Sequence, residues 1–360
     1  MDHEIRHGLP QDYHEMNHVE PHRELHRVPA DLSQFWVITI LSNPVRYKKR
    51  YDLYWKFAEM CEHAGVNLVT VEQAFGNRKY MVTSPNNKYH LQVRTVEELW
   101  HKENMINLGI RHARVIAQSE GRQVREVAWV DADVYPTRTP RDWFEETWHQ
   151  LQHYQFVQMF DTALDLGPDH SVIGETATSF ISRYHKSGYK LPIKGGFWDH
   201  VTKYYSTFSG KVHGHPGYAW AANIDALDAV GGILDFAILG AGDRHMALGL
   251  VGAMPQSFES KNPGYVRSLY QWQVRAERWI KRDVGIVPGS IFHYWHGPKK
   301  SRGYTDRWKI LIDNKFNPDT DLKYDHQGLL QLETWNSRQI MLRDQIRSYF
   351  RSRNEDSIDL

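Results

Sequence analysis

From Phe35 onward, apolar runs alternate with amphipathic segments. Residues 35–41, Phe-Trp-Val-Ile-Thr-Ile-Leu, form an almost unbroken apolar run, the pattern of a strand buried on both faces, and the polar turn Ser42-Asn43-Pro44 ends it. Residues 51–63 repeat apolar positions at helical spacing up to Gly65, and residues 67–71 read as a second strand, which makes a β-α-β opening. Residues 75–93 are polar and irregular. Thr95-Val96-Glu97-Glu98 then has the spacing of a capping box and predicts a helix running to about Ala117. Val127-Ala128-Trp129-Val130 is a strand that runs into Asp131-Ala132-Asp133, followed by a predicted helix over 143–154 and a strand over 156–160. Residues 166–205 have little periodicity and read as a substrate-facing insertion. An aromatic-alanine strand over 218–222, a helix from Asp225, a helix-like stretch over 308–313 and an amphipathic helix over about 329–350 complete the pattern. Low hydrophobicity and interrupting acids suit that last helix to packing on the body of the protein rather than on a membrane.

This alternation predicts an α/β protein with a mostly parallel central sheet flanked by helices. It divides the chain into a polar leader over 1–34, a main domain over 35–312 and a helical extension over 313–360. The leader carries His3, His7, His14, His18, His22 and His26, several of them four apart, but Pro10 and Pro21 interrupt any helix that would align them for a metal. A flexible leader is the expectation.

With 360 residues, 41% of them hydrophobic, the chain has enough apolar surface for a sizeable core. A formal net charge of +1 commits the molecule as a whole neither to nucleic acid nor to an acidic membrane. The single cysteine, Cys61, falls within a predicted helix and reads as a buried thiol. Neither a signal-peptide core nor an apolar run long enough to span a membrane is evident, so the expectation is a cytoplasmic protein without an integral membrane segment.

In an extended chain, residues i and i+2 share a face, so Asp131 and Asp133 are expected to converge just past their strand. Paired carboxylates suit a hard divalent ion such as Mg²⁺ or Mn²⁺, which takes phosphate oxygens as further ligands. An acidic turn that merely caps the strand is the plainer reading. Ligands in open α/β sheets sit beyond the carboxyl ends of strands, which nominates Thr39, Ser42, Asn43 and Arg46 after the first strand and Glu72 after the second. No Gly-x-Gly-x-x-Gly follows the first strand, so a dehydrogenase-type nucleotide grip is unsupported.

An apolar strand ending in Asp-x-Asp resembles the DXD metal signature of the GT-A class of nucleotide-sugar glycosyltransferases. Two further blocks extend the resemblance. Residues 214–222, then Gly231-Gly232, then Leu239-Gly240-Ala241-Gly242-Asp243-Arg244 follow the order of the acceptor half of such enzymes, with one acid, Asp243, where they carry an acidic pair. Residues 289–304 resemble their distal histidine segment, nearest to the His-x-x-Gly-x-x-Lys form of family 8, but His293 stands one residue too far from Gly297 while His296 abuts it.

The resemblance implies a GT-A-like, Rossmann-like sheet and a hexosyltransferase-like reaction, from a nucleoside-diphosphate sugar, expected to be a UDP-sugar, to a hydroxyl of a glycan, nucleic acid or protein. It implies Mn²⁺ or Mg²⁺ on Asp131, Asp133 and His296, with His293 as the alternative to His296. Thr39, Asn43, Arg46, Glu72, Lys102, Asn107, Lys299, Arg302 and Arg307 fall on the donor side, and Gly217, Tyr218, Trp220 and Arg244 on the acceptor side. Asp243 is the candidate base or acceptor contact, which leaves retention or inversion open. A nucleotidyltransferase, a two-metal phosphatase or nuclease, and a non-catalytic glycan-binding module are the competing classes.

Overall fold

The computed structural model describes residues 30–189, 214–254, 262–303 and 306–359, so residues 1–29 of the histidine-rich leader and residues 190–205 of the proposed insertion lie outside the described residues, while Leu32–Gln34, expected to belong to a flexible leader, form a 3₁₀ turn with Leu32 in the core. The chain opens with β1 (Phe35–Ser42), α1 (Lys48–Ala64), β2 (Asn67–Phe75), β3 (His90–Thr95), α2 (Lys102–Ser119) and β4 (Glu126–Val130). Next come β5 (Val134–Pro136), α3 (Pro140–Leu151), β6 (Phe156–Gln158), β7 (Thr162–Asp165), β8 (Ala177–Thr178) and α4 (Phe180–Lys186). The second half has β9 (Ala219–Asn223), α5 (Ile224–Ala229), α6 (Gly242–Leu250), α7 (Pro263–Trp279), β10 (Val284–Ile286) and β11 (Ser290–His293). It closes with α8 (Asp306–Asp313), α9 (Pro318–Asp321), the paired β12 (Leu322–Tyr324) and β13 (Leu330–Leu332), and α10 (Ser337–Ser352).

Seven strands form one sheet in the order β10-β6-β9-β4-β1-β2-β3. It is mixed rather than strictly parallel, because β9 runs antiparallel to both of its neighbours, β4 and β6. Helices cover both faces, as the apolar strands require. On one side Ile106 and Ile110 of α2 share a core with Met246 of α6 and Trp272 of α7. On the other, Phe57 and Cys61 of α1 pack with Trp143 and Phe144 of α3. From β1 the chain continues to β2 and β3 on one side of the sheet, whereas from β4 it continues to β6 and β9 on the other, so it leaves β1 and β4 in opposite directions. The crevice at their carboxyl ends is a topological switch point, the usual ligand position in an open α/β sheet.

A second, four-stranded sheet in the order β5-β11-β7-β8 lies across that end. It sets His293 beside Val134 of β5 on one side and beside Asp165 of β7 on the other.

Several boundaries differ from the sequence expectation. The predicted capping box does not start a helix: Thr95 ends β3, and although its hydroxyl accepts from the Glu97 N–H at 3.0 Å, α2 begins only at Lys102. The intervening chain is tied outward instead. Trp100 N donates to Ile238 O at 2.9 Å, and the buried His101 ring meets the Gln73 amide and Leu330 O. Residues 90–95 join the sheet edge as β3 rather than remaining irregular. At the other end, Leu330 and Leu332 alternate inward in β13, so the final helix starts at Ser337, where the Asn336 side chain caps it.

Candidate metal and substrate cleft

A cleft of about 640 Å³ opens at the switch point. At its floor β4 ends at Val130, and Asp131-Ala132-Asp133 is a turn, closed by Val134 N donating to Asp131 O at 3.2 Å. The two aspartates are therefore not neighbours on one strand face, and each meets a different partner. Asp131 Oδ1 lies 2.5 Å from Lys102 Nζ. Asp133 Oδ2 lies 3.0 Å from His296 Nε2 and 3.9 Å from His293 Nε2.

Asp133, His293 and His296 form a group whose candidate ligand atoms all fall within 4.8 Å of one another. The two imidazoles meet edge to face, with Nε2 atoms 3.3 Å apart. His293 Nδ1 lies 2.7 Å from Asp165 Oδ1, a partner that fixes the proton on Nδ1 and turns the Nε2 lone pair inward. Burial lowers the affinity of His293 for a second proton. Asp133 Oδ1 is buried without a hydrogen-bond partner. Two imidazoles and a carboxylate are a donor set that could hold a divalent metal ion. His296 and its alternative His293 both belong to this group. Asp131, expected as a ligand, stands outside the group because Lys102 holds it.

Charge is concentrated around this point. Burial would raise the Asp133 carboxyl, but His296, His293 and Arg302 hold it well below the usual carboxylate range. Burial would likewise lower the Lys102 ammonium, but Asp131, Asp243 and Glu103 push it above its ordinary value. An Arg302 guanidinium nitrogen lies 3.0 Å from His296 Nε2. The C-terminal tail supplies Glu355, buried between Arg50 and Arg353 and with Oε2 3.8 Å from His296 Nδ1.

Of the other expected residues, Asn43, Lys102, Arg302 and Arg307 line the cleft, as do Tyr218, Asp243 and Arg244. Asn43 does so while its amide closes the loop onto the Tyr47 backbone. Tyr218 stacks on His215 at 3.8 Å and leans on His293. The side chain of Lys299 lies outside the described part.

The remaining expected residues do not line this cleft. Thr39 is buried, its hydroxyl bonding to Val130 O at 3.0 Å, which ties β1 to the end of β4. Glu72 accepts from the backbone of Met81, Val82 and Thr83 and so organises the loop before β3. Both ends of the Asn107 amide bond to the Ile233 backbone and pin the Gly-Gly turn. Trp220 is core, donating to Pro216 O at 2.7 Å. Arg46 is exposed beside the cleft mouth and not part of its lining, and Gly217 packs beneath Asp243.

Sequence reading missed Arg50, Asp165, Glu103, Arg353 and Glu355. Arg50 alone had a signal, a basic residue in the first turn of the helix after β1. Compared with models of known families and with curated proteins, the chain gives no match.

Proposed function

We propose that this chain is a metal-dependent glycosyltransferase that moves a sugar from a nucleoside-diphosphate sugar to a hydroxyl acceptor. The observation that carries the reading is the Asp133–His293–His296 group set beside Arg302 at the switch point of an α/β sheet. The order of the sequence blocks that resembles GT-A enzymes supports it, as fold-level analogy. Asp133, His293 and His296 would hold the ion, taken as Mn²⁺, which when bound would supply Lewis-acid stabilisation of a departing diphosphate.

The protein's own groups share that work. Arg302 is within reach of an anion bound beside His296, and a guanidinium suits phosphate oxygens in bidentate fashion. Lys102, kept ionised by its acidic neighbours, adds a largely buried positive charge beside Asp131 and near Asp243. Asp243, in the first turn of α6 and lining the cleft, would accept a hydrogen bond from an acceptor hydroxyl. Trp100, Tyr218 and Trp308 give the cleft aromatic walls suited to sugar faces. A two-metal phosphatase or nuclease is disfavoured, because one such ligand group occurs among the described residues.

The test is release of nucleoside diphosphate from a panel of nucleotide sugars with and without Mn²⁺, beside calorimetric binding of UDP. Asp133→Ala should weaken Mn²⁺-dependent UDP binding by at least about tenfold, within the range for a lost metal contact, and leave the circular dichroism spectrum unchanged. Unchanged Mn²⁺-dependent affinity would sink the assignment.

A further inference from the structure

Position 242, at the start of α6, has no side chain. A Cβ placed there would stand 2.5 Å from both Cδ and Oε1 of Glu103, so the carboxyl of Glu103, carried on α2, fills the space a side chain at 242 would occupy. The next residue is Asp243, also lining the cleft. Two carboxyls therefore meet where the local sequence supplies one. Glu103 is 3% exposed, lines the cleft, and its Oε2 has no hydrogen-bond partner. A secondary cavity of about 10 Å³, the lower limit for a single water, lies between Glu103, Asp243 and Lys102 and the apolar side chains of Ile106, Trp129 and Met246.

A buried oxygen without a partner is costly to the folded state, and such groups persist where a ligand satisfies them. Charges of both signs act at this spot, since Lys102 lies near both acids and Arg244 near Asp243. A cation or an anion would face like charge there, and a neutral polyhydroxyl compound would not. We infer that Glu103 and Asp243 form a hydroxyl-recognition pair for a carbohydrate or similar polyol, with Glu103 donating to one hydroxyl oxygen and Asp243 accepting from a neighbouring hydroxyl. Burial, opposed by Lys102 and reinforced by Asp243, pushes the Glu103 carboxyl up to about 8, which keeps it a donor at neutral pH. The inference deepens the transferase reading by naming the chemistry of the acceptor end, and Glu103 joins the site as a substrate-contacting residue.

The experiment is ligand-observed NMR with methyl glycosides of glucose, galactose and mannose on wild type, Glu103→Gln, Glu103→Ala and Gly242→Ala. Calorimetric Mn²⁺–UDP binding is measured on the same four proteins. Glu103→Gln keeps shape and donor and should hold the sugar. Glu103→Ala should weaken it by about tenfold, the worth of one hydrogen bond. Gly242→Ala should do the same, because its methyl displaces the Glu103 carboxyl while alanine favours the helix. Mn²⁺–UDP affinity should hold in all four. Equal sugar binding throughout, no sugar bound by the wild type, or loss of UDP in step with sugar would each overturn the pair. Sugar binding that follows the expected order in a protein that binds no Mn²⁺–UDP would leave this site standing and remove the transferase reading.

Discussion

Glu103 and Asp133 are both buried carboxyls, yet their surroundings drive them in opposite directions. Asp133 faces two imidazoles and a guanidinium and stays ionised. Glu103 is dominated by burial, with Lys102 opposing it, and rises from its ordinary 4.5 to about 8. Between those two values the folded protein keeps a proton that the unfolded chain releases, so unfolding free energy falls as pH rises through this window. The slope from this one group is about 1.4 kcal/mol per pH unit. Denaturant midpoints measured from pH 5 to 8 should therefore fall more steeply for wild type than for Glu103→Gln, which has no proton to lose. Parallel curves would show that Glu103 is ionised in the folded protein. Asp133 contributes with the opposite sign, since its stabilisation is present above the ordinary carboxylate range and lost in acid.

Helix α1 is an element whose start is secured from far away. Tyr47 at its N-cap offers no side-chain hydrogen bond, and the first-turn N–H groups of Lys48 and Lys49 are taken instead by Asp356, each at 2.9 Å. The carboxylate also sits favourably at the positive end of the helix dipole. Removing it in Asp356→Ala should cost about 1 kcal/mol, the usual worth of an N-cap, measured by urea denaturation. A loss well below that would mean that water replaces the contact without penalty. Helix α6 starts under strain instead, with Ala241 at φ +74° before Gly242 and Asp243. Strained non-glycine residues cluster at ligand-binding and active sites, and here the strained turn carries Asp243, which lines the cleft.

Across the whole molecule, the C-terminal tail joins the two ends of the described chain and finishes the cleft. Trp295 Nε1 donates to Ser357 O at 2.7 Å, Asn354 N donates to the Tyr47 hydroxyl, and Phe350 stacks on Trp100. At the centre, Arg50 and Arg353 hold Glu355 well below the usual carboxylate range in spite of its burial. The residues expected to form an extension over 313–360 thus supply a wall of the site. Truncating the acid in Glu355→Ala leaves two partly or fully buried guanidinium groups unsatisfied and should cost about 3–5 kcal/mol in chemical denaturation. A cost under about 1 kcal/mol would show that the arginines find other partners or solvent.

Local pattern was enough to determine the α/β class, the helices on both faces, the strand leading to Asp131 and Asp133, and the two histidines near Gly297. Each of these rests on neighbours a few residues apart, where periodicity and turn chemistry act directly. Sequence proximity misled where backbone geometry intervened: a turn at 131–133 sends adjacent acids to different partners, and outward hydrogen bonds at Trp100 and His101 delay the helix that Thr95 was expected to cap. The rest of the cleft depends on long-range placement. Asp165 stands 128 residues from His293, and Glu355 stands 305 residues from Arg50. Glu103 meets Gly242 only because α2 and α6 pack on the same face of the sheet. No periodicity encodes such pairs, because strand order and helix packing bring them together only once the hydrophobic core has formed.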